Sequence, residues 1–321
     1  MTIGEFDLID RYFTRPARRV ALGIGDDCAL LAPAAGMQLA VSSDMLLEGR
    51  HFLSTVDPER LGHKALAVNL SDLAACGAQP LAFSLALALP QAEAGFIEGF
   101  ARGLFAIADR HDCELAGGDT TRGPLAICIT VFGEVPVGGA LLRSGARAGD
   151  DLYVSGTVGD ARLALEVFRG TTALPGEAFE EVRRAMETPE PRVALGVALR
   201  GVASSAIDVS DGLLGDLGHI LRRSDVGATV EVDAVPRSAV MARQAPALQR
   251  VCTLAGGDDY ELVFTASPSA SAAVAAAARE AGIEVTCIGR IERERGLRLL
   301  DRDGRAVAGT FGSFDHFRAA P

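Results

Sequence analysis

The 321-residue chain contains no tryptophan and a single lysine, Lys64. That lysine follows His63 and stands outside any GxxxxGK[ST] run, which excludes the common lysine-assisted phosphate loop. Gly23-Ile24-Gly25 lacks the third glycine of a dinucleotide fingerprint, and Arg110-His111-Asp112 has neither the order nor the context of a protein-kinase catalytic loop. Positive charge is scarce: 31 Lys and Arg face 42 Asp and Glu, a formal net charge of −11. A protein gripping nucleic acid by its phosphates would need a basic face, so no nucleic-acid partner is expected. No apolar run approaches the roughly 18–20 residues of a membrane span; 81–89 is among the longest and stops at Pro90. The six cysteines are far apart, without CxxC or a nearby His cluster, and read as small, buried, reduced residues. Glu5 and Asp7 beside Phe6 and Leu8 do not form the basic-then-apolar start of a signal peptide, so no membrane association and a cytoplasmic location are expected.

What is present is ordinary globular material, 49% hydrophobic and 23% charged, in a length that suits about two domains. Strand-like and helix-like stretches alternate, which predicts an α/β or α+β fold with mixed sheets and helices packed on them. Strands are expected at 20–24, 38–42, 82–89, 114–116 and 125–134. A helix should start at Asp57 as N-cap with Pro58 in the first turn and end near Cys76, before Gly77 and Pro80. A second spans about 92–109, where Phe96, Phe100, Leu104 and Ile107 recur at helical spacing. Gly and small residues at 137–149 mark a boundary, giving a first domain at 1–137, a linker at 138–149 and a second domain at 150–321. Beyond it, strands are expected at 151–155, 205–209, 229–232, 260–265, 285–290 and 296–300, and helices at 159–168, 190–202, 213–223 and 269–281.

One pattern recurs. Apolar strands run directly into aspartates flanked by Gly or Ser, at Asp26-Asp27, Asp44, Asp119, Asp208 with Asp211, and Asp258-Asp259. Any one of these reads as a turn or cap residue. Five together point to acids gathered beyond the carboxyl ends of strands, where open α/β sheets hold ligands. Asp72 differs, since it lies with Asn69 in a helix that is apolar nearly all round, where a lone carboxylate is costly unless paired or bound to metal. Carboxylates without a Cys/His set favour Mg²⁺ or Mn²⁺ over Zn²⁺. Mg²⁺ keeps waters and bridges to phosphates, so this many acids suit several ions clamping a polyphosphate. On the acids alone, a metal-dependent phosphatase or a passive metal-binding protein fits as well.

In this order the turns resemble the thiamine-monophosphate kinases of the AIR-synthetase-like (PurM-like) superfamily. The resemblance runs through Gly23–Leu30, Lys64–Ala75, Gly117–Pro124, Arg143–Ala146, Ile207–Leu213, Gly256–Leu262 and Phe314–Phe317. It implies a two-domain PurM-like fold, with the amino-terminal sheet joining that of a dimer mate in a barrel. It also implies transfer of the γ-phosphoryl of ATP to thiamine monophosphate with several Mg²⁺. Another ATP-dependent synthetase of the superfamily is the alternative. Carried onto this chain, Asp27, Asp44, Asp72, Asp119, Asp208 and Asp211 hold metal, with Ser42 and Ser43 assisting. Phe105, Gly118, Asp119, Arg143 and Ser210 touch ATP, and His51, Asp258 and Phe314 meet the thiamine substrate. Members usually carry Glu at the Asp258 position and often Tyr where Phe105 and Phe314 stand. Arg50 is a further candidate for the incoming phosphate. No nucleophile or general base is implied.

Overall fold

A computed structural model describes residues 4–309 and 311–312. Contacts divide the chain into two units, one taking the residues up to Leu73 with Ala78–Gly138, the other Ala74–Gly77 with the residues from Gly139 on.

The first unit contains α1 (Glu5–Tyr12), β1 (Met37–Leu47), α2 (Pro58–Ala75, its last two residues in the other unit), β2 (Gln79–Leu89), α3 (Ala94–Arg110), β3 (Glu114–Arg122) and β4 (Ala126–Pro136). Its sheet has the order β1-β4-β2-β3, with β4 antiparallel to both neighbours and β3 parallel to β2. Asp57 caps α2 as the sequence predicts: its Oδ1 accepts the N–H groups of Glu59 and Arg60 at 2.9 and 3.2 Å. Helices α2 and α3 meet backbone to backbone. A Cβ on Gly62 would fall 2.0 Å from the Phe100 carbonyl oxygen, and one on Gly103 1.7 Å from that of Glu59. The core beneath is Leu61, Leu66, Leu70, Phe83, Phe100, Leu104 and Ile129, all fully buried.

The stretch expected as a strand at 20–24 is not one. It makes single bridges, Leu22 to Leu30 and Ile24 to Asp26, because the chain turns back through Gly23, Gly25 and two carboxylates before a ladder can form. Strands β1 and β3 run well past their expected ends, since Ser42-Ser43-Asp44 and Gly117-Gly118-Asp119 continue the ladder instead of breaking it.

In the second unit follow β5 (Asp151–Ser155), α4 (Asp160–Phe168), α5 (Gly176–Glu187), α6 (Val193–Ala198), β6 (Ser205–Asp208), α7 (Leu213–Ser224), β7 (Gly227–Glu231), α8 (Ala239–Ala242), α9 (Pro246–Ala255), β8 (Leu262–Ala266), α10 (Ser271–Ala281), β9 (Val285–Glu292) and β10 (Gly296–Leu300). The sheet order is β10-β7-β9-β5-β8-β6, parallel only between β10 and β7. Leu213, Leu217, Ile220 and Leu221 of α7 pack with Leu152, Val154, Ile207, Val230, Val263 and Ile288 in one core. A second cluster, Leu163, Val182, Met186, Met241 and Cys252, joins α4, α5, α8 and α9. The last three of those helices are not among those expected from the sequence; α8 has only four residues, and half of α5 is charged. The helix expected at 190–202 is only α6, hemmed by Pro191 and Gly201.

Residues 139–149 are tied to this unit: Ala206 N–H donates to the Leu142 carbonyl at 2.9 Å, and Ser224 Oγ donates to the Arg143 carbonyl and accepts from the Gly145 N–H. Of the cysteines, Cys113 and Cys252 are buried, Cys76 and Cys128 half-buried, and Cys28 and Cys287 exposed, so burial fits only part of the set.

Candidate active site

In the first unit the period-two geometry of β1 sorts the candidate ligands by face. Ser42 and Asp44 point toward α2. Ser42 Oγ donates to Asp72 Oδ2 at 2.5 Å, and Asn69 Oδ1 accepts the Asp44 N–H at 3.2 Å while its Nδ2 donates to the Ala65 carbonyl. Asn69 is fully buried, so its amide fixes β1 against α2 next to Asp72. Ser43 lies on the opposite face, with its hydroxyl 2.9 Å from Thr130 Oγ1, and is not part of the Ser42–Asp72 group.

Asp119 is also placed elsewhere. Asp44 shares a register row with Ile129, Leu85 and Gly118, whereas Asp119 shares one with Ala86, Cys128 and Met45, the row of the exposed face. Three strand spacings separate β1 from β3, about 14 Å. Gly118 (φ +155°) closes the approach to β2, since a Cβ there would sit 1.8 Å from the Leu85 carbonyl oxygen.

Asp27 is exposed in the turn after Gly25. The chain leading to that turn is anchored by Glu114 at the start of β3, whose carboxylate accepts the N–H groups of Arg18, Arg19 and Val20. Burial opposes its charge, yet those bonds and Arg18 hold it below the ordinary glutamate range. His51 accepts the Leu47 N–H on Nδ1 at 2.9 Å, which leaves the proton of its neutral form on Nε2. Phe105 is a core residue, 5% exposed, with Phe13 beside it and the Arg15 guanidinium 3.6 Å from its ring centroid. Arg15 thus covers the ring face that the resemblance gives to ATP.

In the second unit the backbone lays two of the predicted segments side by side. Buried Asp208 ends β6, and the following turn is laced to the Gly256–Glu261 segment. Val209 N–H donates to the Glu261 carbonyl, Tyr260 N–H to that of Val209, and Asp258 N–H to that of Ser210, at 2.8, 2.9 and 2.9 Å. Asp258 and Tyr260 both take positive φ, 66° and 52°, and the Tyr260 hydroxyl donates to Asp258 Oδ1 at 2.9 Å. Ser210, Asp211 and Asp258 therefore share one corner. His219, in α7, is held below its usual range by partial burial, then by Arg222 and Arg143, with Asp211 opposing.

The residues that support this corner are not among the ligands expected from the sequence. Glu261 is buried and grips Arg192 through both carboxylate oxygens while accepting from Ser155 Oγ. Asp216 Oδ2 accepts three successive backbone N–H groups, and burial pushes its carboxyl up to about 7 although those bonds pull downward. Asp259 is half-buried, and its Oδ1 caps α4 through the Gly159 N–H at 2.8 Å. Tyr260, Glu261 and Asp259 are visible as parts of the Gly256–Leu262 motif; Asp216 carries no signal beyond its place in a helical first turn.

Phe314 lies outside the described residues. Among the described residues, no three His, Cys, Asp or Glu side chains are gathered so as to hold a metal ion by themselves, and no helix is long and apolar enough to cross a membrane.

Comparison with known proteins gives this arrangement a family. Residues 25–135 match the AIR synthase related protein N-terminal domain, and residues 147–302 its C-terminal domain. The chain is 46% identical to thiamine-monophosphate kinase of Salmonella typhimurium strain LT2, covering 99% of both. The crystal structure of thiamine-monophosphate kinase from Stenotrophomonas maltophilia K279a superposes with a TM-score of 0.87 at 46% identity, covering 96% of this chain and 99% of that one. A structure described as AaThiL complexed with AMPPCP and TMP gives 0.77 at 28% identity, covering 89% of each. The chain belongs to the AIR-synthase-related family and, within it, to the thiamine-monophosphate kinases.

Proposed function

We propose that the chain transfers the γ-phosphoryl of ATP to thiamine monophosphate, releasing thiamine diphosphate and ADP. The observation that carries this is end-to-end similarity: 46% identity over 99% of the chain to an enzyme of that name. A solved relative described with AMPPCP and TMP bound supports the pair of substrates. ATP is the co-substrate.

The acceptor is a phosphate monoester, dianionic at neutral pH because its second pKa is about 6, so its oxygen needs no general base. That oxygen attacks the γ-phosphorus, and the bond to the β,γ-bridging oxygen breaks with its electrons leaving on ADP. The obstacle is repulsion between two phosphate anions in a cleft of low dielectric. Arg143 supplies a fixed cation for the nucleotide phosphates, and Arg50 is a candidate for the incoming phosphate. Gly118 and Asp119 on β3 complete the nucleotide side; Phe105 joins them by exchanging Arg15 for the base. His51, through Nε2–H, and Asp258, held by Tyr260, meet the thiamine substrate together with Phe314.

Magnesium, with manganese as substitute, suits the donors present, all of them oxygen. Asp27, Asp44, Asp72, Asp119, Asp208 and Asp211 would hold it, with the hydroxyls of Ser42 and Ser43 assisting; that of Ser43 lies 2.9 Å from Thr130 Oγ1. Several ions are needed, because Asp44 and Asp119 are too far apart to share one. Mg²⁺ takes one or two carboxylates and completes its shell with water and phosphate. When bound, it supplies the charge that lets the two phosphates approach.

The second partner is another copy of the chain. The outward face of β1 exposes Leu39, Val41, Met45 and Leu47, the last three bracketing Ser43 on an edge strand. Such a row on a sheet edge is the kind of surface a dimer mate's sheet covers. A cytoplasmic location suits the need for ATP.

Purified protein given ATP, Mg²⁺ and thiamine monophosphate should yield equal thiamine diphosphate and ADP by chromatography. Free phosphate without ADP would mean a phosphatase, and no thiamine diphosphate would end the reading.

A further inference from the structure

The loop that carries Ser210 and Asp211 is itself held by a residue with no role so far. Asp216, in the first turn of α7, is 3% exposed. Its Oδ2 accepts the N–H groups of Ser210, Asp211 and Gly212 at 3.1, 3.0 and 3.1 Å. Three consecutive N–H groups converging on one oxygen form the sort of backbone cradle that binds phosphate at other helix starts. Here the chain fills the cradle with its own carboxylate.

We propose that Asp216 is the positioning residue of the metal loop: by occupying this cradle it fixes the turn so that Asp208 and Asp211 serve metal ions, and it closes the turn to direct phosphate binding. The other side of the loop is already pinned by the Asp258 and Tyr260 amides on the Ser210 and Val209 carbonyls. Gly212 takes φ +118°, and a Cβ there would lie 3.0 Å from the Ala255 backbone, so the turn passes close to the end of α9. Asp216 is thus a side-chain clamp that acts beside the backbone ties from Asp258 and Tyr260. An amide in its place presents one neutral oxygen, and its NH₂ group repels the same donors.

The metal half of this inference rests on the kinase reading; the clamp does not. Mn²⁺ titrated into the protein with AMPPCP and followed by electron paramagnetic resonance should bind about tenfold more weakly to Asp216→Asn, the usual order for loss of a residue that orients ligands. The KM for thiamine monophosphate should change less than the Mn²⁺ affinity, since the Asp258 carboxylate keeps its own hydrogen bond from Tyr260. Glu166→Gln, which removes a buried carboxylate from Arg162 and Arg169 far along the chain, should leave Mn²⁺ binding unchanged. Equal Mn²⁺ affinity in wild type and Asp216→Asn would overturn the proposal. Should Asp216→Asn not fold, amide exchange in the wild-type protein decides: Ser210, Asp211 and Gly212 should exchange slowly, and unprotected rates at the three would refute the clamp. Protected amides in a protein that makes no thiamine diphosphate would sink the kinase reading alone.

Discussion

Asp211 and Asp216 lie five residues apart, and what reaches them differs. Asp216 takes three backbone N–H groups, as Glu114 does at the start of β3, and both are spent on holding loops in place. Asp72, which accepts from Ser42 Oγ, and buried Asp208 are instead proposed as metal ligands. Asp72→Asn and Asp208→Asn should each lower kcat by at least about 100-fold, the scale of removing one electrostatic group from a phosphoryl-transfer site, with melting temperature nearly unchanged. Near-normal turnover in both variants removes them from the metal set.

Asp259 has a third fate. Burial first, then Asp160, Glu261 and Asp258, raise its carboxyl well above the ordinary range, the Gly159 N–H opposing, and its Oδ2 is buried without a partner. Asp160 is likewise pushed up to about 6, mainly by burial. A carboxyl whose folded pKa is raised contributes its full stability below the unfolded value, about 4, and loses it as pH climbs toward the folded value. Thermal melts between pH 5 and pH 8 should therefore show wild type losing more stability than Asp259→Asn, which is neutral throughout and keeps an oxygen for Gly159. Parallel losses would show that Asp259 is not the titrating group.

At the scale of elements, the sequence makes the helices α2, α3 and α7 plain, because each has a cap or stop signal and either an apolar stripe or, in α2, apolar residues nearly all round. It also marks the aspartate turns, since Gly and Ser beside an acid after an apolar run are a local pattern. What it hides is which side of a strand each residue faces once ladders extend beyond the apolar core. Ser42 and Ser43 look equivalent as letters, yet one meets Asp72 and the other Thr130. Gly117 and Gly118 look equivalent too, as a pair freeing backbone for a ligand, but only Gly118 is pressed against β2. Gly118→Ala should destabilise the protein by about 2 kcal/mol or more, because the clash is with backbone, while Gly117→Ala, with nothing within 4 Å, should cost less than about 1 kcal/mol. Denaturant midpoints compare the two; equal losses would contradict the register of β2 and β3. Helices α5, α8 and α9 are hidden for a different reason: they are stabilised by one another through the Leu163–Cys252 cluster, a tertiary effect no local window contains.

For the molecule as a whole, two claims remain that no single unit can carry. The first is association. Val41→Asp with Met45→Asp puts charge on the exposed face of β1 and should convert a dimer to monomers in sedimentation experiments; an unchanged mass would place the interface elsewhere or dismiss it. The second is that acids scattered from Asp27 to Asp211 act through ions recruited with the substrates. Mn²⁺ bound per chain, counted by equilibrium dialysis with and without AMPPCP, tests it directly. More than one tightly held ion per chain when the nucleotide analogue is present, and weak binding without it, is the predicted result. A binding curve indifferent to the analogue would contradict the account.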